Sequence, residues 1–75
     1  MAKAARQLVI CVDNAGYEAS LERRKIYVAI ADAASQKRGL IRVIDESGED
    51  YVYPQDMFVA AALPASVRRA VLQAA

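Results

Sequence analysis

Apolar side chains fall in six runs, at residues 8–12, 26–30, 40–44, 51–53, 57–59 and 63–72, with polar or turn-forming segments between them. Gln7 to Val12 carries the run Leu8-Val9-Ile10-Cys11-Val12 and reads as a buried strand. Asp13-Asn14-Ala15-Gly16 ends it, because Asn and Gly tolerate a left-handed backbone. Tyr17 to Arg24 has no clear period and reads as an irregular excursion closed by a polar turn. Ile26 to Ile30 is β-branched at every second position and predicts a second strand. Asp32 to Gly39 is expected to be a polar loop, and Leu40 to Ile44 a third strand. Glu46-Ser47-Gly48-Glu49 is the clearest hairpin signal, with Gly48 expected at positive φ. Tyr51 to Tyr53 predicts a fourth strand, ended by Pro54, which has no N–H to give to a ladder. Gln55 to Met57 is long enough only for one 3₁₀ turn, and Phe58 to Ala60 predicts a short fifth strand.

From Pro64 onward the period changes. Val67, Ala70, Val71 and Ala74 stand at i, i+3, i+4 and i+7, one face of a helix, and Pro64 suits its first turn. The expected organisation is a flexible tail over 1–6, a mainly β five-stranded small barrel over 7–62 and a short C-terminal helix over 63–75. Alternation along the strands predicts Ile26, Val28, Val43 and Phe58 buried together with Cys11 beside them. The helix's apolar face needs cover, either from its own barrel or from a second subunit.

Composition narrows the picture further. The chain has 75 residues, enough for one domain and barely enough for a self-sufficient core. Many of the apolar residues are alanines, so the large side chains in the six runs carry the burial. A net charge of +1 argues against a strong nucleic-acid or membrane-surface partner. The single cysteine, Cys11, permits no internal disulfide and lies in an apolar run, where a thiol acts as a small hydrophobe. Only five apolar residues follow Lys3 and Arg6 before Asp13. A signal peptide needs about 7–15 and a membrane-spanning helix about 20. A cytoplasmic protein is expected.

Several segments resemble known ones. Leu40 to Ala60, LIRVIDESGEDYVYPQDMFVA, resembles the distal hairpin, Pro-led 3₁₀ turn and last strand of Src-homology-three-like barrels. Ser20-Leu21-Glu22, leading through Arg23-Arg24-Lys25 into Ile26, is similar to that fold's diverging turn. CVDN at 11–14, SLE at 20–22, KIY at 25–27 and VIDESGEDYVYP at 43–54 are also similar to segments of a family of short bacterial proteins. The resemblance covers most of 8–64 and leaves out the helix. It implies a five-stranded Src-homology-three-like small barrel and no particular activity. That fold's peptide groove carries over poorly. Its paired tyrosines fall at Val12 and Asn14, its tryptophan near Leu40, and the aromatics flanking its proline at Val52 and Met57. Only Pro54 matches, so polyproline recognition is not expected.

The chemistry-bearing residues are few. Histidine is absent, which removes the commonest general base and neutral metal ligand. Ser20, Ser35, Ser47 and Ser66 therefore lack a partner for a triad. Gly16, Gly39 and Gly48 stand too far apart for a phosphate loop. No enzymatic activity, cofactor or metal is expected. Asp45, Glu46, Glu49 and Asp50 lack calcium-loop spacing and read as a solvated hairpin tip.

Two surfaces remain as binding candidates. Leu40, Val52 and Met57 on the barrel, with Val71 on the helix, form a candidate apolar interaction surface. Arg23, Arg24, Lys25, Lys37, Arg38 and Arg42 form a candidate basic patch for nucleic acid, with Tyr27 or Tyr51 available for stacking. The first reading, a non-enzymatic protein-binding or scaffolding module open to self-association, is favoured over the alternative of a weak nucleic-acid binder. The low net charge and the acidic hairpin oppose a phosphate backbone.

Overall fold

The computed structural model describes residues 5–74. Its strands are β1 (Arg6–Cys11), β2 (Ile26–Ile30), β3 (Leu40–Ile44), β4 (Asp50–Pro54) and β5 (Phe58–Ala60). Two helices, α1 (Ala33–Gln36) and α2 (Ala65–Ala74), and one 3₁₀ turn, Gln55–Met57, complete it. The strands form one antiparallel sheet in the order β4-β3-β2-β1-β5. The sheet is not closed into a barrel, because β4 and β5 are its two edges and do not pair. The 3₁₀ turn carries the chain across to β1, where Phe58 stands opposite Cys11. Met57 and Phe58 are both buried there.

Register assigns every strand residue to a face. On the inner face lie Val9, Cys11, Tyr27, Ala29, Ile41, Val43, Tyr53 and Phe58, which join Met57 and Leu21 in one core cluster. On the outer face lie Leu8, Ile10, Ile26, Val28, Leu40, Arg42, Ile44 and Val52. Val43, Phe58 and Cys11 therefore meet in the core as expected, but Ile26 and Val28 do not join them. β2 is apolar at every position, so alternation within it gives no phase. Tyr27 and Ala29 fill the core, while Val28 is buried on the outer face and Ile26 half-buried there.

The expected tail is shorter than 1–6. Arg6 already pairs with Ile30, and the Ala5 carbonyl accepts from the Ala31 N–H. The rest of that expectation, residues 1–4, falls outside the described residues. Asp32 to Gly39 is not wholly loop: Asp32 caps α1, accepting from the Ser35 N–H at 3.3 Å and the Ser35 hydroxyl at 2.8 Å. Pro54 is itself the last residue of β4, opposite Leu40, instead of lying beyond it.

The β3–β4 hairpin is a type I turn closed by a left-handed glycine. The Gly48 N–H donates to the Asp45 carbonyl, the Asp45 N–H donates to the Glu49 carbonyl, and Gly48 has φ 84°.

α2 covers the outer face incompletely. Val71 and Leu72 are half-buried, whereas Val67 is exposed and no α2 residue is fully buried. The face turned to the sheet carries Val71, Leu72 and Ala74, so Val71 and Ala74 of the expected stripe meet the sheet while Val67 is exposed and Leu72 joins them. Arg68 fixes this phase by donating from Nη2 to the Arg6 carbonyl at 2.7 Å.

Candidate functional site

Between α2 and the outer face of the sheet runs an open cleft of about 610 Å³. Leu8, Ile26, Val28 and Ile44 line it from the sheet, Val71, Leu72 and Ala74 from the helix. The strands put these residues on one face by their period of two, and the helix opposes them with residues at i, i+1 and i+3. One rim is charged. Lys25 Nζ donates to both Glu46 carboxylate oxygens, at 2.6 and 2.8 Å, and lies 3.6 Å from Glu22. The Tyr27 hydroxyl donates to Glu46 Oε2 at 2.5 Å and accepts from the Glu22 N–H at 2.8 Å.

These bonds shift the titrations. The Lys25 ammonium, then the Tyr27 hydroxyl, hold the Glu46 carboxyl below its usual range. Burial, aided by Glu46, pushes the Tyr27 phenol well up. The rim is a neutralised, hydrogen-bonded unit, and the cleft behind it is apolar.

A second such unit braces the hairpin. Asp45 is buried and accepts from the Tyr53 hydroxyl, the Ser47 N–H at 2.9 Å and the Ser47 hydroxyl. Burial opposes its charge, but the donors outweigh burial and keep its carboxyl below the ordinary value. Burial and the bond to Asp45 push the Tyr53 phenol up to about 12. The expected solvated acidic tip is corrected at Asp45 alone. Asp45 is the buried, structural group, whereas Glu46, Glu49 and Asp50 are exposed, with Glu46 held by Lys25 and Tyr27.

The candidate apolar residues do not form one strip. Met57 is buried in the inner core, on the opposite side of the sheet from Leu40 and Val52. Leu40 is half-buried and Val52 exposed on the outer face. Val71 lines the cleft.

The basic candidates divide as well. Arg23, Arg24 and Lys25 precede the start of β2, whereas Lys37, Arg38 and Arg42 follow or flank its end. A five-residue strand spans about 13 Å between its end residues. Arg42 is held by Asp32 at 2.8 Å and Asp50 at 3.0 Å, and Lys25 by Glu46. Arg24 has a left-handed backbone, φ 71°, with its N–H on the Cys11 carbonyl at 2.7 Å.

Sequence reasoning missed the Tyr27–Glu46 and Tyr53–Asp45 pairs, because their members lie 19 and 8 residues apart. It also missed Leu21, a fully buried residue within the irregular excursion. A lone leucine flanked by Ser20 and Glu22 was the available signal. No family model, curated protein or solved structure matches this chain. No helix among the described residues is long and apolar enough to cross a membrane, and no group of His, Cys, Asp or Glu there is arranged to hold a metal ion.

Proposed function

We propose that this chain is a non-enzymatic, cytoplasmic protein-binding module that takes an apolar segment of a partner into the cleft beneath α2. The observation that carries the reading is the incomplete cover of an apolar sheet face. Leu8 and Val28 are buried, yet Ile26, Ile44, Val71 and Leu72 remain half-open around about 610 Å³ of space. An inserted side chain would gain roughly 25 cal/mol for each Å² of apolar surface removed from water. The strand order, with β5 returning beside β1, supports an open variant of the Src-homology-three-like arrangement. In this variant the ligand face would be the helix side of the sheet. The basic residues favour nucleic acid less, since Lys25 and Arg42 already hold carboxylates and the other four sit in two separate pairs.

The test is selection of peptides from a random display library on the purified protein, followed by titration of the selected peptide. Apolar peptides are expected, with affinity little changed between about 50 and 200 mM salt and lost in Val71→Asp. Single-stranded and duplex oligonucleotides are titrated in parallel. Tight oligonucleotide binding that falls steeply with salt, and is abolished in Arg24→Glu/Arg38→Glu, would replace this reading with the nucleic-acid one.

A further inference from the structure

An open sheet has two edges, and here they are unequal. β5 is three residues long, whereas β4 offers five, Asp50-Tyr51-Val52-Tyr53-Pro54. Hydrogen bonds flanking the β3–β4 ladder fix which groups of β4 point outward. The Asp45 N–H donates to Glu49 at one end, and the Gln55 N–H donates to Gly39 at the other. Antiparallel pairs alternate between bonded and non-bonded. Tyr51 and Tyr53 therefore bond to β3, while the N–H groups of Asp50 and Val52 and the carbonyls of Asp50, Val52 and Pro54 face outward. No hydrogen bond from another described residue reaches those outward groups. Pro54, lacking an N–H, sits where β3 asks for none.

Three apolar side chains at this edge are uncovered. Tyr51 is 50% exposed, Val52 39% and Tyr17 40%, half of the large exposed hydrophobics among the described residues. Tyr17 stands edge-on to Tyr53, ring centres 5.0 Å apart, so it extends the same patch. Natural edges are usually blunted by an inward charge, a bulge or a lysine. This one has none at its centre. Asp50 is the only charge on the strand, and Arg42 binds it at 3.0 Å.

We propose that two copies of this chain associate edge to edge through β4, antiparallel, with Val52 on the two-fold axis. The strand is self-complementary in that register. Each Val52 N–H donates to the other Val52 carbonyl, and each Asp50 N–H to the opposing Pro54 carbonyl. Asp50 then faces Pro54 instead of its own copy, which avoids a like-charge pair. Tyr51 of each chain lies across from Tyr53 of the other, an aromatic cross-strand pair. The contact is isologous and closes at two subunits. It is smaller than the roughly 1,600 Å² of a standard interface, so the dimer is a weak, concentration-dependent one. It stands apart from the cleft and does not depend on the cleft's occupant.

Sedimentation equilibrium of the full chain, from micromolar to about 1 mM, tests this, with Val52→Lys and Val52→Pro beside it. The weight-average mass of the unaltered chain is expected to rise towards twice the monomer. Val52→Lys keeps every β3–β4 bond and is expected to stay monomeric throughout. Val52→Pro removes only an outward N–H and is expected to weaken association at least tenfold. Val71→Asp is expected to dimerise like the unaltered chain. Hydrogen exchange at the highest concentration should slow at the Val52 and Asp50 amides and leave Tyr51 unchanged. A monomer throughout the range, a Val52→Lys protein that still dimerises, or mass growth beyond two subunits would each overturn the proposal.

Discussion

Leu21→Ala tests whether the irregular excursion between β1 and β2 belongs to the core. Leu21 is fully buried and is the one core-cluster residue of that segment. The substitution removes three carbons, about 2.4 kcal/mol at about 0.8 kcal/mol per methylene. A partly uncollapsed cavity raises the cost to about 3 kcal/mol, within the usual range for buried leucines. A chain of 75 residues has only about 4–11 kcal/mol of stability in all, at about 0.05–0.15 kcal/mol per residue. The loss is therefore a large fraction of the whole. Urea titration followed by far-ultraviolet circular dichroism measures it. With a slope of about 1 kcal/mol/M, the midpoint should fall by about 3 M. Cys11 supplies an independent readout, since it is fully buried and burial raises its thiol pKa. Labelling by a thiol reagent then requires opening of the core, and should quicken about a hundredfold at constant pH. A loss under about 1 kcal/mol with unchanged labelling would refute the reasoning, and would mean that the excursion opens without the sheet.

Two further outcomes follow from the turns and caps. Gly48→Val should cost about 1–2 kcal/mol in urea denaturation, from backbone conformation alone, because φ is 84° and a Cβ there meets nothing within 4 Å. Asp32→Asn should destabilise at neutral pH and matter progressively less in acid. The Arg42 side chain, then Ser35, lower the Asp32 carboxyl from 3.8 to about 2. A depressed folded pKa stabilises above the unfolded value, and that stabilisation fades as pH falls from 3.8 towards 2. Urea midpoints of the two proteins that stay equally far apart at pH 3 and pH 7 would contradict this assignment.

The strand positions were readable because the turns are chemically marked. Gly48, Pro54 and the short apolar runs set the bounds of β2, β3, β5 and the 3₁₀ turn to the residue. Which face of β2 met the core was not readable. Ile26-Tyr27-Val28-Ala29-Ile30 is apolar throughout, since α2 covers one face and the core the other. α1 escaped notice because four residues carry no helical period, and only Asp32 with Ser35 marks it. The phase of α2 turned on Arg68 reaching the Arg6 carbonyl, a contact 62 residues apart. The candidate surfaces fared similarly. Val71 does line the cleft, but Met57 was assigned outward because the 3₁₀ turn's direction across the sheet is a tertiary property.

The placement of β1 between β2 and β5 has a consequence for how the chain acquires its structure during synthesis. Strands β2, β3 and β4 are joined by short links and can form as a meander as soon as they emerge. β1 is made first, yet one of its flanks stays bare until Phe58–Ala60 arrives. Until then Cys11 lacks the Phe58 lid opposite it, and the nascent chain exposes an apolar strand. Translation at about 5–20 residues per second leaves a gap of several seconds between the completion of β1 and that of β5. In that interval the bare flank of β1 is available to chaperones, to neighbouring nascent chains and to thiol chemistry that the finished fold excludes.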